Sequence, residues 1–432
     1  MTPVPDRTAA GGTAGRAAWT AFVIASAFFL YEFVTRIEPS LDTETIAAFF
    51  GLTKSGFGSL SSLFFWIYAP MQIVAGLVLD RFGARTFVIA GSLCCAFGVL
   101  LFTATDISGV AAAGRVLTGF GASFAFVSAL WLVNHWFAPE RFALLSGAVN
   151  AVGMTGAAIG AVLLSGLVEA AGWRLVFLGT GLAGLAIAAA AILFLREPAS
   201  PAAEADTGAA EHIRQSLAAV AGSGRVWAIS ITGMLFYMPV NVYAGLWGAT
   251  ELTSGHHRSQ VAAETIVSMV FWGMALGSVF GGWLSDRLGH RKYLVLGGAV
   301  LTALAYLSVL YLPLSAFAEG ALLLAGGFFG GFQMLTFAMA KEGIANSVTG
   351  TAVAFVNMIG IAGALIFQPL VGYLADAAGG NFELALATVP ACVALSALIV
   401  LFVPEYRHPD HISDSAQARF PARAETLERT VP

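Results

Sequence analysis

Twelve apolar runs, each near the length a helix needs to cross a bilayer, constrain this chain more than any other feature. They fall at 17–38, 57–79, 86–104, 110–136, 143–168, 175–195, 226–249, 265–285, 293–312, 319–340, 350–375 and 384–403, numbered here as spans 1 to 12. Inside hydrocarbon every backbone N–H and C=O must find a partner within the protein, so runs of this length are read as helices. The prediction is an all-α integral membrane protein. Only 11% of the 432 residues are charged, against about a quarter in a soluble chain. That deficit excludes a cytosolic enzyme and a disordered scaffold, and a net charge of −4 leaves no basic footprint for nucleic acid. The first run follows a polar leader and lacks a small-residue cleavage site, so it reads as a span and not as a signal peptide.

Orientation follows from the basic residues. With the N-terminus inside, 16 of the 21 Lys and Arg fall on cytoplasmic segments; Arg36, Lys54, Arg115, Arg174 and Arg258 are the five others. Both termini are expected in the cytoplasm. One connection differs from the rest: 197–225 is long, polar and rich in Ala, Pro and Glu, which marks a linker. The expected organisation is a leader (1–16), a six-helix half (17–196), a cytoplasmic linker (197–225), a second six-helix half (226–404) and a cytoplasmic tail (405–432).

Each half carries the same phrase between its second and third spans. The first is Gly76-Leu-Val-Leu-Asp80-Arg81-Phe-Gly83-Ala-Arg85, and the second is Gly282-Trp-Leu-Ser-Asp286-Arg287-Leu-Gly289-His-Arg291. The two aspartates are 206 residues apart, about half the chain. Together with Arg115-x-x-x-Gly119-x-Gly121 and Gly172-Trp173-Arg174-x-x-Phe177, these phrases resemble the major facilitator superfamily over nearly all of Ala17–Pro404. The resemblance implies two parallel six-helix halves that rock about a central site, with no enzymatic activity. It also implies that Gly76, Asp80, Arg81, Gly83 and Arg85, with Gly282, Asp286, Arg287, Gly289 and Arg291, form a gate at the cytoplasmic mouth. The competing reading is a basic loop that only fixes topology. Glycines four apart in span 5 (Gly153, Gly156, Gly160) and span 8 (Gly273, Gly277, Gly281) predict close helix contacts. Span 5 departs from the superfamily's antiporter phrase, reading Gly156-Ala-Ala-Ile-Gly160-Ala where a Gly-Pro is expected, which weakens an export reading.

Ionisable residues are costly within a span and usually face a cavity or a partner. In span 1, Glu32 and Arg36 are four apart with the acid N-terminal, the favourable order for a helical ion pair. One reading is mutual neutralisation on a structural face. The other has Arg36 bind an anionic group while Glu32 carries a proton. The aromatic-rich span 1 with Tyr31 and Arg36, followed by Tyr68 and Gln72 in span 2, resembles the organic-anion symporter branch of the superfamily. That branch often places a Glu directly after the Gly-x-Gly of span 4, where this chain has Ala122, so Glu32 is the available proton carrier. For Arg115, binding an anion and pairing with Asp106 stand side by side. Neutral candidates for the substrate are Tyr237, Asn241, Gln333, Asn357 and Gln368, each with an alternative role as an interhelical hydrogen-bonding group.

No cofactor is expected. His256 and His257 fall short of a metal site, Cys94, Cys95 and Cys392 read as small buried hydrophobes, and there is no Walker-type phosphate loop. The expectation is a secondary transporter in a bacterial inner membrane, monomeric, taking up a small polar organic anion or amino acid with protons. An exporter of a metabolite, siderophore or drug, and a membrane sensor with the same fold, are the alternatives.

Overall fold

The computed structural model describes residues 13–137, 141–197, 209–342, 344 and 348–404, and every regular element among them is helical. The side chains of residues 76, 77, 80 and 81 lie outside that description. Twelve helical spans are long and apolar enough to cross a membrane. They are Gly15–Phe49, Lys54–Ala75, Ala84–Ala104, Ser108–Trp136, Leu145–Ala171, Trp173–Phe194, Gly224–Ser254, Gln260–Leu288, Arg291–Tyr311, Ala316–Lys341, Thr349–Ala377 and Phe382–Phe402. They match the expected spans 1 to 12, with extensions at several ends. Between spans 6 and 7, within the stretch read as a linker, residues Ala209–Ala221 form a further helix.

Several spans are interrupted where the cavity lies. Span 4 breaks at Ser123 and Phe124 between helices Ser108–Ala122 and Ala125–Trp136. Span 10, its counterpart in the second half, passes through a 3-10 turn at Gly331–Met334. Span 7 contains a wider π-helical stretch, Pro239–Trp247, starting at a proline that cannot donate to the preceding turn.

The glycine rows do what their spacing predicts. Side chains added at Gly153 and Gly156 would meet Phe29 and Leu30, so span 5 lies close against span 1. Added at Gly273, Gly277 and Gly281 they would meet the Leu324 and Phe328 carbonyls and the Phe332 ring, which sets span 8 against span 10. These contacts lie within a half and bind each half into a unit.

Contacts between the halves gather at one end. The Lys54 and Ser55 amides, at the start of span 2, donate to the Asp376 carboxylate at 3.2 and 2.8 Å. A Cβ at Gly58 would meet the Gln368 carbonyl, and one at Gly372 the Lys54 carbonyl, so spans 2 and 11 touch backbone to backbone. Thr43 and Thr250 share a hydrogen bond, Gln260 Nε2 donates to the Leu41 carbonyl at 3.0 Å, and Phe57 meets Trp247 edge to face at 6.2 Å. This is the closed end. At the other end, where spans 2, 4 and 10 finish and spans 5 and 11 begin, a central cavity opens.

The repeated phrases flank that open end, and each is fastened within its own half. Gly83 (φ 78°) and Gly289 (φ 69°) adopt backbone angles that favour glycine, which explains both residues physically. Arg85 donates to the carbonyls of Leu195 and Ile192 at the end of span 6, at 2.9 and 2.8 Å, and its amide donates to Glu197. In the second half Lys292 donates to the Leu401 carbonyl at the end of span 12 (2.6 Å), and Arg291 bonds Glu342 after span 10. Cations thus sit on the carbonyl ends of helices in both halves. Asp286 is largely exposed, with its nearest Arg291 nitrogen 3.8 Å away, and Arg287 lies over the Trp283 ring. Gly282 has open space where a side chain would start, so nothing packs closely on it in this conformation. The roles expected of the Gly76, Asp80 and Arg81 side chains lie outside the described residues.

Candidate functional site

The central cavity has a volume of about 700 Å³, within the range of small-molecule sites. Spans 1, 2, 4 and 5 supply one wall, and spans 7, 10 and 11 the other. Arg36 is the one charged side chain among the described residues that line it. Span 1 delivers Arg36 to the wall while burying Glu32 one helical turn earlier. Arg36 Nε donates to Glu32 Oε1 at 3.0 Å, and Nη2 donates to the same oxygen. Glu32 Oε2 is buried without a hydrogen-bond partner. Both hydrogen bonds to Glu32 use the Nε–Nη2 edge of the guanidinium, and the Tyr68 hydroxyl is a further partner of Arg36.

Rings surround this cation. The Arg36 guanidinium carbon stands 4.5 Å from the centre of Phe33, 5.0 Å from Tyr68, and 5.9 Å from both Phe64 and Phe65. Ring faces position the guanidinium, and Tyr68 adds a side-chain hydrogen bond to it. Gln72 and Asn357 meet across the two halves at 3.4 Å, with Gln72 Nε2 buried and unpartnered. Tyr237 and Gln333 complete the polar lining from the second half.

Six of the ten residues expected at the substrate thus share one cavity: Arg36, Tyr68, Gln72, Tyr237, Gln333 and Asn357. Four do not line it. Tyr31 turns toward span 6, where its ring occupies the space a side chain at Gly184 would need. Arg115 spends its guanidinium on the carbonyls of Thr35 and Ser61, at 2.9 and 3.4 Å, under the Phe64 ring. It faces a small separate void beside Glu38, whose carboxylate accepts from Thr180. Asn241 and Gln368 tie the irregular stretch of span 7 to span 11. The Asn241 carbonyl accepts from Gln368 Nε2 (2.8 Å), while Asn241 Nδ2 donates to the Gly360 carbonyl (3.1 Å).

The sequence reading missed Asn150 in span 5 and the apolar lining formed by Phe29, Phe126, Met154 and Phe337. It also missed Asp376, and Glu251 and Glu319, which clasp His256 at the closed end (3.2 and 2.6 Å). Among the described residues no group of three or more His, Cys, Asp or Glu side chains could hold a metal ion.

A two-half bundle of twelve spans around a central polar cavity is matched by the family profile described as Major Facilitator Superfamily, over residues 18–252 and 229–430. The chain belongs to the major facilitator superfamily. The probable sulfoacetate transporter SauU of Cupriavidus necator is 26% identical over 400 residues, covering 87% of this chain and 91% of its own length. The membrane sensor protein UhpC of Salmonella typhimurium is 28% identical over 350 residues, covering 72% of this chain and 75% of its own. A solved structure, a bacterial homologue of the human lysosomal transporter Spinster in an inward-facing and unoccupied conformation, shares the fold. Its TM-score is 0.69 at 15% identity, with 90% of this chain and 95% of that one covered. As a major facilitator protein the chain is a multi-pass secondary transporter and not an enzyme.

Proposed function

We propose that the chain takes up an organic anion together with protons, and that Arg36 is the anion's anchor. The observation that carries this reading is the placement of Arg36: the single charge among the described lining residues, ring-flanked, with its Nη1 side turned from Glu32. Two parallel N–H donors on that side fit a carboxylate or sulfonate, and a cavity of low polarity strengthens the pairing. Similarity to a protein named as a probable sulfoacetate transporter supports an anionic substrate.

Glu32 supplies the coupling. It lies behind Arg36, is shielded from the cavity, and has one oxygen without a partner. An anion that draws Arg36 toward itself weakens the Glu32–Arg36 pair, and a proton then replaces the lost positive partner. Anion and proton load together because both act on one guanidinium. In the reading proposed here both termini and the linker 197–225 are cytoplasmic, in a bacterial inner membrane. The closed end then faces outward, and the cavity opens inward. Gln72 and Asn357, meeting across the halves, would contact the substrate from both sides and report its presence to each.

The test begins with purified protein and a panel of organic anions scored by thermal stabilisation. Proton-driven uptake of the best stabiliser is then measured in liposomes. Arg36→Lys should weaken binding about tenfold or more while the protein still folds, since an ammonium cannot reproduce the paired donors. A neutral or cationic best ligand, or wild-type affinity in Arg36→Lys, would remove Arg36 from the site. Binding without uptake would instead mark a receptor.

A further inference from the structure

The cavity's division between one charge and a carbon wall bears on which anion it takes. Three rings of the first half, Phe29, Phe33 and Phe126, pack against one another beside the charge. Phe29 meets Phe33 edge to face at 5.1 Å and Phe126 at 5.0 Å. Phe33 also touches the Arg36 guanidinium, so the surface that continues from the anion's anchor is aromatic carbon. Across the cavity Phe337 adds a fourth ring.

The ring faces themselves offer a hydroxyl neither a donor nor a strong acceptor. The neutral amides stand elsewhere in the lining: Gln72 Oε1 takes the Asn357 amide, while Gln72 Nε2 and Gln333 Oε1 are buried without partners. A polyhydroxylated anion held at Arg36 would press hydroxyls against rings, and each hydroxyl left without a partner costs roughly tenfold in affinity. A flat apolar body would lose nothing there and would gain ring-to-ring contact. A cavity of about 700 Å³ has ample room for such a body.

From this juxtaposition of a single half-shared guanidinium and a three-ring wall, we infer that the substrate is a monovalent aryl anion, a carboxylate or sulfonate carried on an aromatic or similarly flat apolar body. This rests on the proposed anion site and narrows it. It sets the chain apart from a carrier of a compact or hydroxylated anion. The charge count agrees: once a proton neutralises Glu32, Arg36 balances one negative group, and the described lining residues offer no second cation for a dianion.

The experiment measures dissociation constants of purified protein for benzoate, phenylacetate, 3-phenylpropionate and indole-3-acetate. Gluconate and sulfoacetate serve as anions without a ring, and phenylacetamide as a ring without a charge. At least one aryl monoanion should bind about tenfold or more tightly than gluconate and sulfoacetate, from the added apolar burial. Phenylacetamide should bind far more weakly than phenylacetate. Phe126→Leu should lower the ratio of aryl-anion to gluconate affinity, and Phe29→Leu gives the same readout if Phe126→Leu fails to fold. If gluconate or sulfoacetate matches every aryl anion and its binding still needs Arg36, the aryl assignment fails and the anion site stands. If no aryl anion binds, the aryl assignment fails as well. If aryl anions bind equally well to Arg36→Lys, the anion site itself is wrong.

Discussion

Asp376 offers a direct test of what holds the closed end shut. Its carboxylate belongs to the second half, yet it accepts the first two amides of span 2 in the first half, at 3.2 and 2.8 Å. Those amides lie at the positive end of a 29-residue helix, Lys54–Phe82, and within that helix they have no acceptor. The interaction exists only while the halves meet here, so it stabilises one conformation and not the fold of either half. Capping bonds and helix-end charges together contribute about 1–2 kcal/mol. Asp376→Ala should therefore shift the balance toward an opened seam by roughly 5- to 30-fold. A reporter can be placed at Thr43, which is buried at the same seam against Thr250. With Cys94, Cys95 and Cys392 replaced, Thr43→Cys is labelled in detergent with a maleimide, which removes any question of sidedness. Labelling should quicken by that factor in the Asp376→Ala background, and the melting temperature should move little. An unchanged labelling rate in a folded variant would show that the remaining seam contacts hold it shut without Asp376.

Glu32→Gln should bind and exchange substrate yet fail to accumulate it against a gradient, and proton-driven accumulation surviving intact would sink the coupling proposal. If Glu32 is only the structural partner of Arg36, the same variant should instead lose thermal stability, because it leaves a buried guanidinium without its charge partner. Asp80→Asn should slow transport more than it weakens binding, whereas Asp286→Asn should have the smaller effect, since its loose, exposed pairing with Arg291 contributes about 0–1 kcal/mol. Abolished binding with normal conformational exchange in Asp80→Asn would remove that residue from the gate.

The spans were legible because hydrocarbon leaves a chain little choice. Contiguous apolar runs must be helices, and the glycine rows in spans 5 and 8 could be read as contact faces from spacing alone. Arg36 was legible for a related reason: a cation within a span needs a purpose, and its i,i+4 acid was visible in sequence. Legibility failed where a role depends on distant neighbours. Asp376 caps amides more than three hundred residues away, and nothing local to it announces this. Arg115 has the same chemistry as Arg36, but carbonyls of Thr35 and Ser61 absorb its donors. Asn241 and Gln368 looked like substrate groups because an amide in a span is conspicuous; the irregular stretch they tie to span 11 has only Pro239 as a trace in sequence. Ring walls are harder still to anticipate. Phenylalanine fills lipid faces, cores and cavities alike, so Phe126 and Phe97 could not be told apart before folding, although one lines the cavity and the other is an exposed side chain.

The wide winding of span 7 has a consequence for how such a molecule could move. The stretch Pro239–Trp247 holds one residue more per hydrogen-bonded loop than an α-helix would. Rewinding it to α geometry would rotate everything beyond it by about 100°. That rotation would carry the Trp247 ring away from Phe57 and Thr250 away from Thr43. Two seam contacts would then be released by a change of pitch inside one helix, with no bending of either half. The slack residue behaves as a stored click of a ratchet, and the amides of Asn241 and Gln368 are the pawl that keeps it set.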